Sequence, residues 1–127
     1  PAEHHQLVFV VGREPGSKPT VNQLSFLVND LSTVKAYYQK AQAEGVTITM
    51  TKSHGNALSV YVLDPEGTQI EIYCHTPWYV KQPGGKPMNL DLPESDILAQ
   101  VEREVHADPS FMPRAQWMEQ MATQMSA

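Results

Sequence analysis

The residues of this chain best suited to chemistry lie close together along it: His54, Ser59, Tyr61, Glu71 and Tyr73. Between them, Asp64-Pro65-Glu66-Gly67 is a strong turn signal, flanked by residues 57–63 and 69–73, where apolar side chains alternate with polar ones. That pattern predicts a β-hairpin. If Leu63 faces Gln69 across the turn, Tyr61 pairs with Glu71, and Ser59 and Tyr73 share their face. His54 sits in the loop segment Lys52-Ser53-His54-Gly55-Asn56. A neutral loop histidine can serve as acid or base near pH 7, the bland alternative being a solvated side chain. For Tyr61 the bland alternative is a hydrogen bond to Glu71 and nothing more.

Other candidates carry less. His4 and His5 are adjacent, and neighbours on a strand point to opposite faces, so they cannot jointly grip one ion. His75, His106 and Cys74 have no partners at ligand spacing. Neither a glycine-rich phosphate loop nor a Gly-x-Ser-x-Gly elbow is present. A free amine on Pro1 could act as a base, as in the tautomerase superfamily, but nothing after Pro1 resembles a tautomerase strand.

The elements that must position these residues follow from periodicity. Leu7-Val8-Phe9-Val10-Val11 reads as a strand ending at Gly12, with a Pro/Gly-rich loop after it. Residues 22–28 alternate, placing Gln23, Ser25 and Leu27 on one face and Leu24, Phe26 and Val28 on the other. Asn29-Asp30 with Ser32 offers N-cap chemistry, Leu31, Val34, Tyr38 and Ala41 recur at helical spacing, and Gly45 supplies the stop. Residues 46–51 read as the next strand.

Beyond Thr76-Pro77-Trp78-Tyr79 comes the connector Gln82-Pro83-Gly84-Gly85-Lys86-Pro87, and then two short helices. The first carries Ile97, Leu98, Val101 and Val105, and the second carries Trp117, Met118, Met121, Ala122 and Met125. The methionine stripe is expected to pack on the parent domain, with an adaptable partner surface as the alternative.

The chain has 127 residues, with 14 acidic and 9 basic side chains. One domain with a modest core is the expectation. The body up to residue 90 is balanced and the whole charge of −5 lies in the tail. No basic stripe with interleaved aromatics is present, so neither nucleic acid nor an anionic membrane surface is an expected partner. No apolar run is long enough to span a bilayer, no secretory signal is evident, and a single cysteine excludes an internal disulfide framework. A cytoplasmic location is the default.

The order of elements resembles one βαβββ module of the vicinal oxygen chelate superfamily, which includes glyoxalase I, bleomycin-resistance proteins and extradiol ring-cleavage dioxygenases. The resemblance is carried by Asn22-Gln23-Leu24-Ser25-Phe26, by Val28-Asn29-Asp30-Leu31 with Tyr37-Tyr38, by Gly45-Val46, and by Tyr61-Val62-Leu63-Asp64-Pro65-Glu66-Gly67 leading into Ile70-Glu71-Ile72-Tyr73. His4-His5-Gln6-Leu7-Val8-Phe9 is similar to the last strand of a preceding module.

The resemblance implies an α+β fold: half of a glyoxalase- or dioxygenase-like cup, with an extra N-terminal strand and a C-terminal helical tail. It divides the chain into a domain at 1–80, with the full module at 22–74, a linker at 81–90 and a tail at 91–127.

In that family a divalent metal sits in the cup. The matching ligand positions here are Glu71 and, as a weak neutral oxygen donor, Gln23. Gln23 departs from the histidine of extradiol dioxygenases, and Gln6, matching Glu71 on the preceding strand, is a second loss. The metal, if bound, is Fe, Mn, Zn or Ni, which the residues leave open. Tyr61 and, more loosely, His54 match the side chains that dioxygenase-like members place beside a metal-bound substrate.

Two functions are implied. One is a metal-dependent enzyme of dioxygenase or glyoxalase type acting on a small substrate with neighbouring oxygens, the ion acting as Lewis acid. The other is a metal-free small-ligand-binding protein of the bleomycin-resistance type. The half-cup and the exposed Leu27, Leu63 and Tyr73 further imply either a homodimer in which two copies face their sheets, the preferred form, or a shortened form of a longer parent.

Overall fold

The computed structural model describes residues 21–126 together with 14, 16 and 17, so the strand expected at 7–11, with His4, His5 and Gln6, lies outside the described residues. Strand β1 (Gln23–Leu27) leads into helix α1 (Leu31–Ala43). Asp30 caps the helix, its carboxylate accepting from the Thr33 N–H at 2.8 Å and the Thr33 hydroxyl at 2.7 Å. At the other end Gly45 turns the chain with a φ of +68°, and the Val46 N–H closes on the Ala41 carbonyl. That closure uses up the residues expected to open the next strand, and β2 runs from Ile48 to Ser53 instead of over 46–51.

Strands β3 (Ala57–Leu63) and β4 (Gln69–His75) form the hairpin. The side chain of Asp64 organises its turn by accepting from the Glu66 and Thr68 N–H groups, with Gly67 in the left-handed region. Leu63 is paired with Gln69 and Tyr61 with Glu71, as the turn chemistry predicts.

After β5 (Trp78–Tyr79), the Pro/Gly-rich stretch carries a two-residue strand, β6 (Lys86–Pro87), that pairs with β2. The sheet order is β1-β4-β3-β2-β6, with β1 parallel to β4 and the other pairs antiparallel. The parallel pair is possible because α1 carries the chain across to β2, and two antiparallel reversals, β2 to β3 and β3 to β4, then lay β4 alongside β1 in the same direction.

On β3, Leu58 and Val60 alternate with Ser59 and Tyr61, giving the sheet one apolar and one polar face. The apolar face packs into a core formed by Leu31 and Val34 of α1, Leu58 and Val60, Cys74 of β4, and Ile97, Val101 and Val105 of helix α2 (Glu94–His106), with Val80, Met88 and Leu90 beside them. Each fully buried aliphatic side chain there contributes about 1.5–3 kcal/mol. The fold is thus the mixed α+β half-module that the family resemblance implies.

The last segment is held more lightly. Strand β7 (Met112–Pro113) pairs with β5, and helix α3 (Arg114–Met125) follows it directly. Trp117 stacks on Tyr79, with ring centroids 4.7 Å apart and planes 11° from parallel. The methionine stripe, expected to pack on the parent domain, does so only in part: Trp117 and Met121 are half-buried, while Met118 and Met125 are 52% and 88% exposed. One aromatic stack near its start anchors α3, and no residue of the helix is fully buried.

Candidate functional site

The polar face of the sheet converges on one carboxylate. Glu71 lies mid-way along β4, opposite Ser25 of β1 on one side and Tyr61 of β3 on the other. Side chains opposite each other on one face come within hydrogen-bond reach. The Ser59 hydroxyl and the Tyr61 phenol donate to Oε1, each at 2.7 Å. The Ser25 hydroxyl at 2.6 Å and the Gln23 amide at 2.8 Å donate to Oε2. Ser59 is wholly buried, and Tyr61 and Glu71 are 5% and 9% exposed.

Burial by itself raises the pKa of Glu71. The donors Ser25, Tyr61 and Ser59, followed by the charge of His54, outweigh it and hold the carboxyl below its ordinary value. The Tyr61 phenol is pushed far up, first by burial and then by its bond to Glu71 and that group's charge, with Ser59 opposing. Tyr61 therefore keeps its hydrogen and gives Glu71 a hydrogen bond.

From Tyr61 the network continues outward. His54 Nε2 lies 2.8 Å from the Tyr61 oxygen, and His54 Nδ1 lies 2.7 Å from the carbonyl of Gly84. A carbonyl can only accept, so Nδ1 carries a hydrogen. In the neutral ring, Nε2 then has a free lone pair facing the phenol. If the phenol keeps its single hydrogen on Glu71, both contacts of the ring are hydrogen bonds only when it is the imidazolium. The chain Glu71, Tyr61 and His54 thus runs from a buried carboxylate to a ring that borders an open cleft with Lys52, Gln82, Pro83, Gly84 and Gly85.

All four of the sequence-predicted site residues, Gln23, His54, Tyr61 and Glu71, thus belong to one hydrogen-bonded chain. Ser25 and Ser59 join it from the same face, whereas the half-buried Tyr73 turns its ring edge towards His75. Sequence reasoning missed the segment around Gln82 and Gly84, which reaches His54 from a distant part of the chain. Its one signal was the pair Gly84-Gly85. At Gly85, with a φ of +150°, a Cβ would lie 3.2 Å from His54 Nδ1 and 3.0 Å from the Ser53 carbonyl, and would overlap Lys52.

These residues do not by themselves fit a divalent metal. Both oxygens of Glu71 already accept two hydrogen bonds each. Gln23 turns its amide nitrogen to Glu71, while its oxygen accepts from Gln69 at 2.9 Å. Among the described residues no three of His, Cys, Asp and Glu come together as a ligand set. A metal on Glu71 has to displace donors of this chain and take further ligands from beyond this sheet.

Comparison with known proteins adds the family. Similar solved structures include a glyoxalase/bleomycin resistance protein/dioxygenase from Nocardioides, 16% identical with a TM-score of 0.41, where the match covers 54% of this chain and 47% of that one. Another is an NAD-dependent benzaldehyde dehydrogenase from Legionella pneumophila, 20% identical with a TM-score of 0.40, covering 42% of this chain and 48% of that one. The chain thus spans about half the length of these structures. No curated protein matches the sequence. Residues 1–72 match the family model, more than half of the chain, and the protein belongs to the Glyoxalase/Bleomycin resistance protein/Dioxygenase superfamily.

Proposed function

We propose that the polar face of the sheet binds a small molecule with neighbouring oxygens through hydrogen bonds, in the manner of the bleomycin-resistance branch, with Tyr61 and His54 as the groups that meet it. The observation that carries this reading is the saturation of Glu71. With four donors on its two oxygens it is a fixed anchor, and it leaves the phenol and the imidazole as the groups that can exchange a partner. A ligand hydroxyl that replaces the Tyr61–His54 contact can donate to the phenol oxygen, whose own hydrogen stays on Glu71, or to His54 Nε2, and His54 can hold or return a proton at Nε2.

A second reading, a metal-dependent enzyme of dioxygenase or glyoxalase type, is favoured by the position of Glu71 beside Gln23. In that reading Glu71 is the anionic ligand, Gln23 a weaker contact, and the ion (Fe, Mn, Zn or Ni) supplies Lewis acidity, with its other ligands coming from outside this half-cup. A homodimer that brings two polar faces together is the assembly that suits both readings, and light scattering distinguishes it from a monomer. A cytoplasmic location is part of the same proposal. Among the described residues no helix is long and apolar enough to cross a membrane.

The deciding experiment titrates catechol, as a probe with two neighbouring oxygens, into the isotope-labelled chain, without metal and with each of the four ions. Metal content is measured in the native chain and in Glu71→Ala after purification without chelator. Metal-free shifts at Tyr61 and His54 support the first reading. Binding only with metal, together with loss of metal in Glu71→Ala, replaces it by the second.

A further inference from the structure

The geometry points to Gln82 as the residue that positions His54, by tying the strap 82–85 to the loop that carries the histidine. His54 has four polar backbone and ring groups, and all are engaged. Its N–H donates to the Ala57 carbonyl at 2.8 Å, which fixes the loop to the start of β3. Its carbonyl accepts from the Gln82 amide at 2.9 Å. Its ring spans the Tyr61 phenol and the Gly84 carbonyl.

Among the described residues, Gln82 is the one side chain that touches both ends of this arrangement. While its Nε2 donates to His54, its Oε1 accepts from the Gly84 N–H at 3.1 Å. The same residue therefore holds the backbone of the histidine and the N–H of the glycine whose carbonyl selects the hydrogen on Nδ1. Gly85 lets the strap approach this closely, because a side chain there collides with Lys52 and crowds the ring.

The strap is fixed from both sides. On one, β6 pairs with β2, and on the other the Lys81 N–H donates to Ser110 at 2.8 Å. Between these attachments, Gln82 makes the side-chain link to His54. A histidine free in solution exchanges between two tautomers, whereas this arrangement selects the one that bares Nε2 towards Tyr61. Gln82 touches no ligand in this scheme and acts through His54. The inference rests on the proposed role of His54 at the site.

The test reads the ring directly and does not need activity. Long-range proton–nitrogen correlation spectra of the histidine-labelled chain in alkaline buffer report which ring nitrogen carries the hydrogen. The native chain is expected to show His54 in the Nδ1–H form alone. Gln82→Met, similar in length but without polar atoms, is expected to lose that single form and show the two tautomers mixed, with the other histidines unchanged. Gln82→Glu keeps the acceptor for Gly84 and loses the donor to His54, and it serves as the second variant if the first does not fold.

An Nδ1–H form retained in a folded variant overturns the inference, as does a native His54 without it. Loss of the folded spectrum in both variants also overturns it, since Gln82 is then required by the whole fold. Catechol binding is followed in the same samples. A native chain that ignores catechol but shows the tautomer change removes the proposed function and leaves the positioning role supported.

Discussion

The Tyr61 oxygen lies 2.7 Å from Oε1 of Glu71, at directly paired positions of the two hairpin strands. The pair joins a buried anion to a ring that borders an open cleft, and it allows structural and binding roles to be separated by single substitutions.

Tyr61→Phe keeps the ring and deletes the hydroxyl. Glu71 Oε1 then retains only Ser59, and His54 Nε2 loses its partner within the site. The expected loss of stability is about 1–3 kcal/mol, as for a buried hydrogen bond to a charged group. Binding of a small oxygen-rich ligand should fall about tenfold, the equivalent of about 1.4 kcal/mol. Thermal melts and ligand titration of the same sample check both. A lowered melting temperature with unchanged binding assigns Tyr61 a structural role alone.

Acid should weaken the fold through Glu71. Its carboxyl is held below the ordinary value of 4.5 by donors that outweigh burial. A group depressed in the folded state stabilises the fold above its unfolded value, and that contribution disappears as pH falls through the folded value. Glu71→Gln, which has no proton to gain, should be less stable than the native chain at neutral pH. Below 4.5 the difference should shrink, because a protonated Glu71 presents much the same group as a glutamine. Denaturant midpoints of the two chains across acidic pH are the measurement, and a constant offset would contradict the prediction.

Cys74 should be a silent thiol. It is buried in the core, and burial, followed by the charge of Asp30, pushes its pKa up to about 11. The thiolate is the reactive form, so alkylation of the folded chain near pH 8 should be slow and limited by opening of the core. Denaturant should restore the rate of an ordinary cysteine. The neutral thiol is favoured in the fold, so this contribution to stability is lost as pH rises from 9 towards 11. Rapid labelling of the folded protein would show that the face of β4 behind Glu71 is open.

Much of this arrangement was legible in the sequence because it depends on neighbours along the chain. Asp64 and Gly67 dictate the turn, the turn fixes the register, and the register puts Tyr61 opposite Glu71. Alternation on residues 22–28 put Gln23 and Ser25 on the same face. The polar identity of that face could therefore be read before any fold was known. The strap could not. Gln82 and Gly84 reach His54 across a large sequence separation, and each contact uses a backbone carbonyl, a group that every residue carries. Their composition reads as a connector, and only the glycine demanded by the close approach at Gly85 marks a packed position. The shift of β2 to Ile48 has a local cause, the closing hydrogen bonds of α1, which hydrophobic alternation does not register.

The donors to Glu71 come from two strands that flank it, Gln23 and Ser25 on β1 and Ser59 and Tyr61 on β3. The carboxylate is therefore also a rivet, fastening a strand that precedes α1 to the hairpin that follows it. Anything that recruits a lone pair of Glu71, whether a cation or a ligand hydroxyl, has to release one of those donors and slacken the hold on β1 or β3. Occupancy and the seating of β1 are then one equilibrium, and the amides of β1 should exchange with solvent at a rate that depends on whether the site is filled.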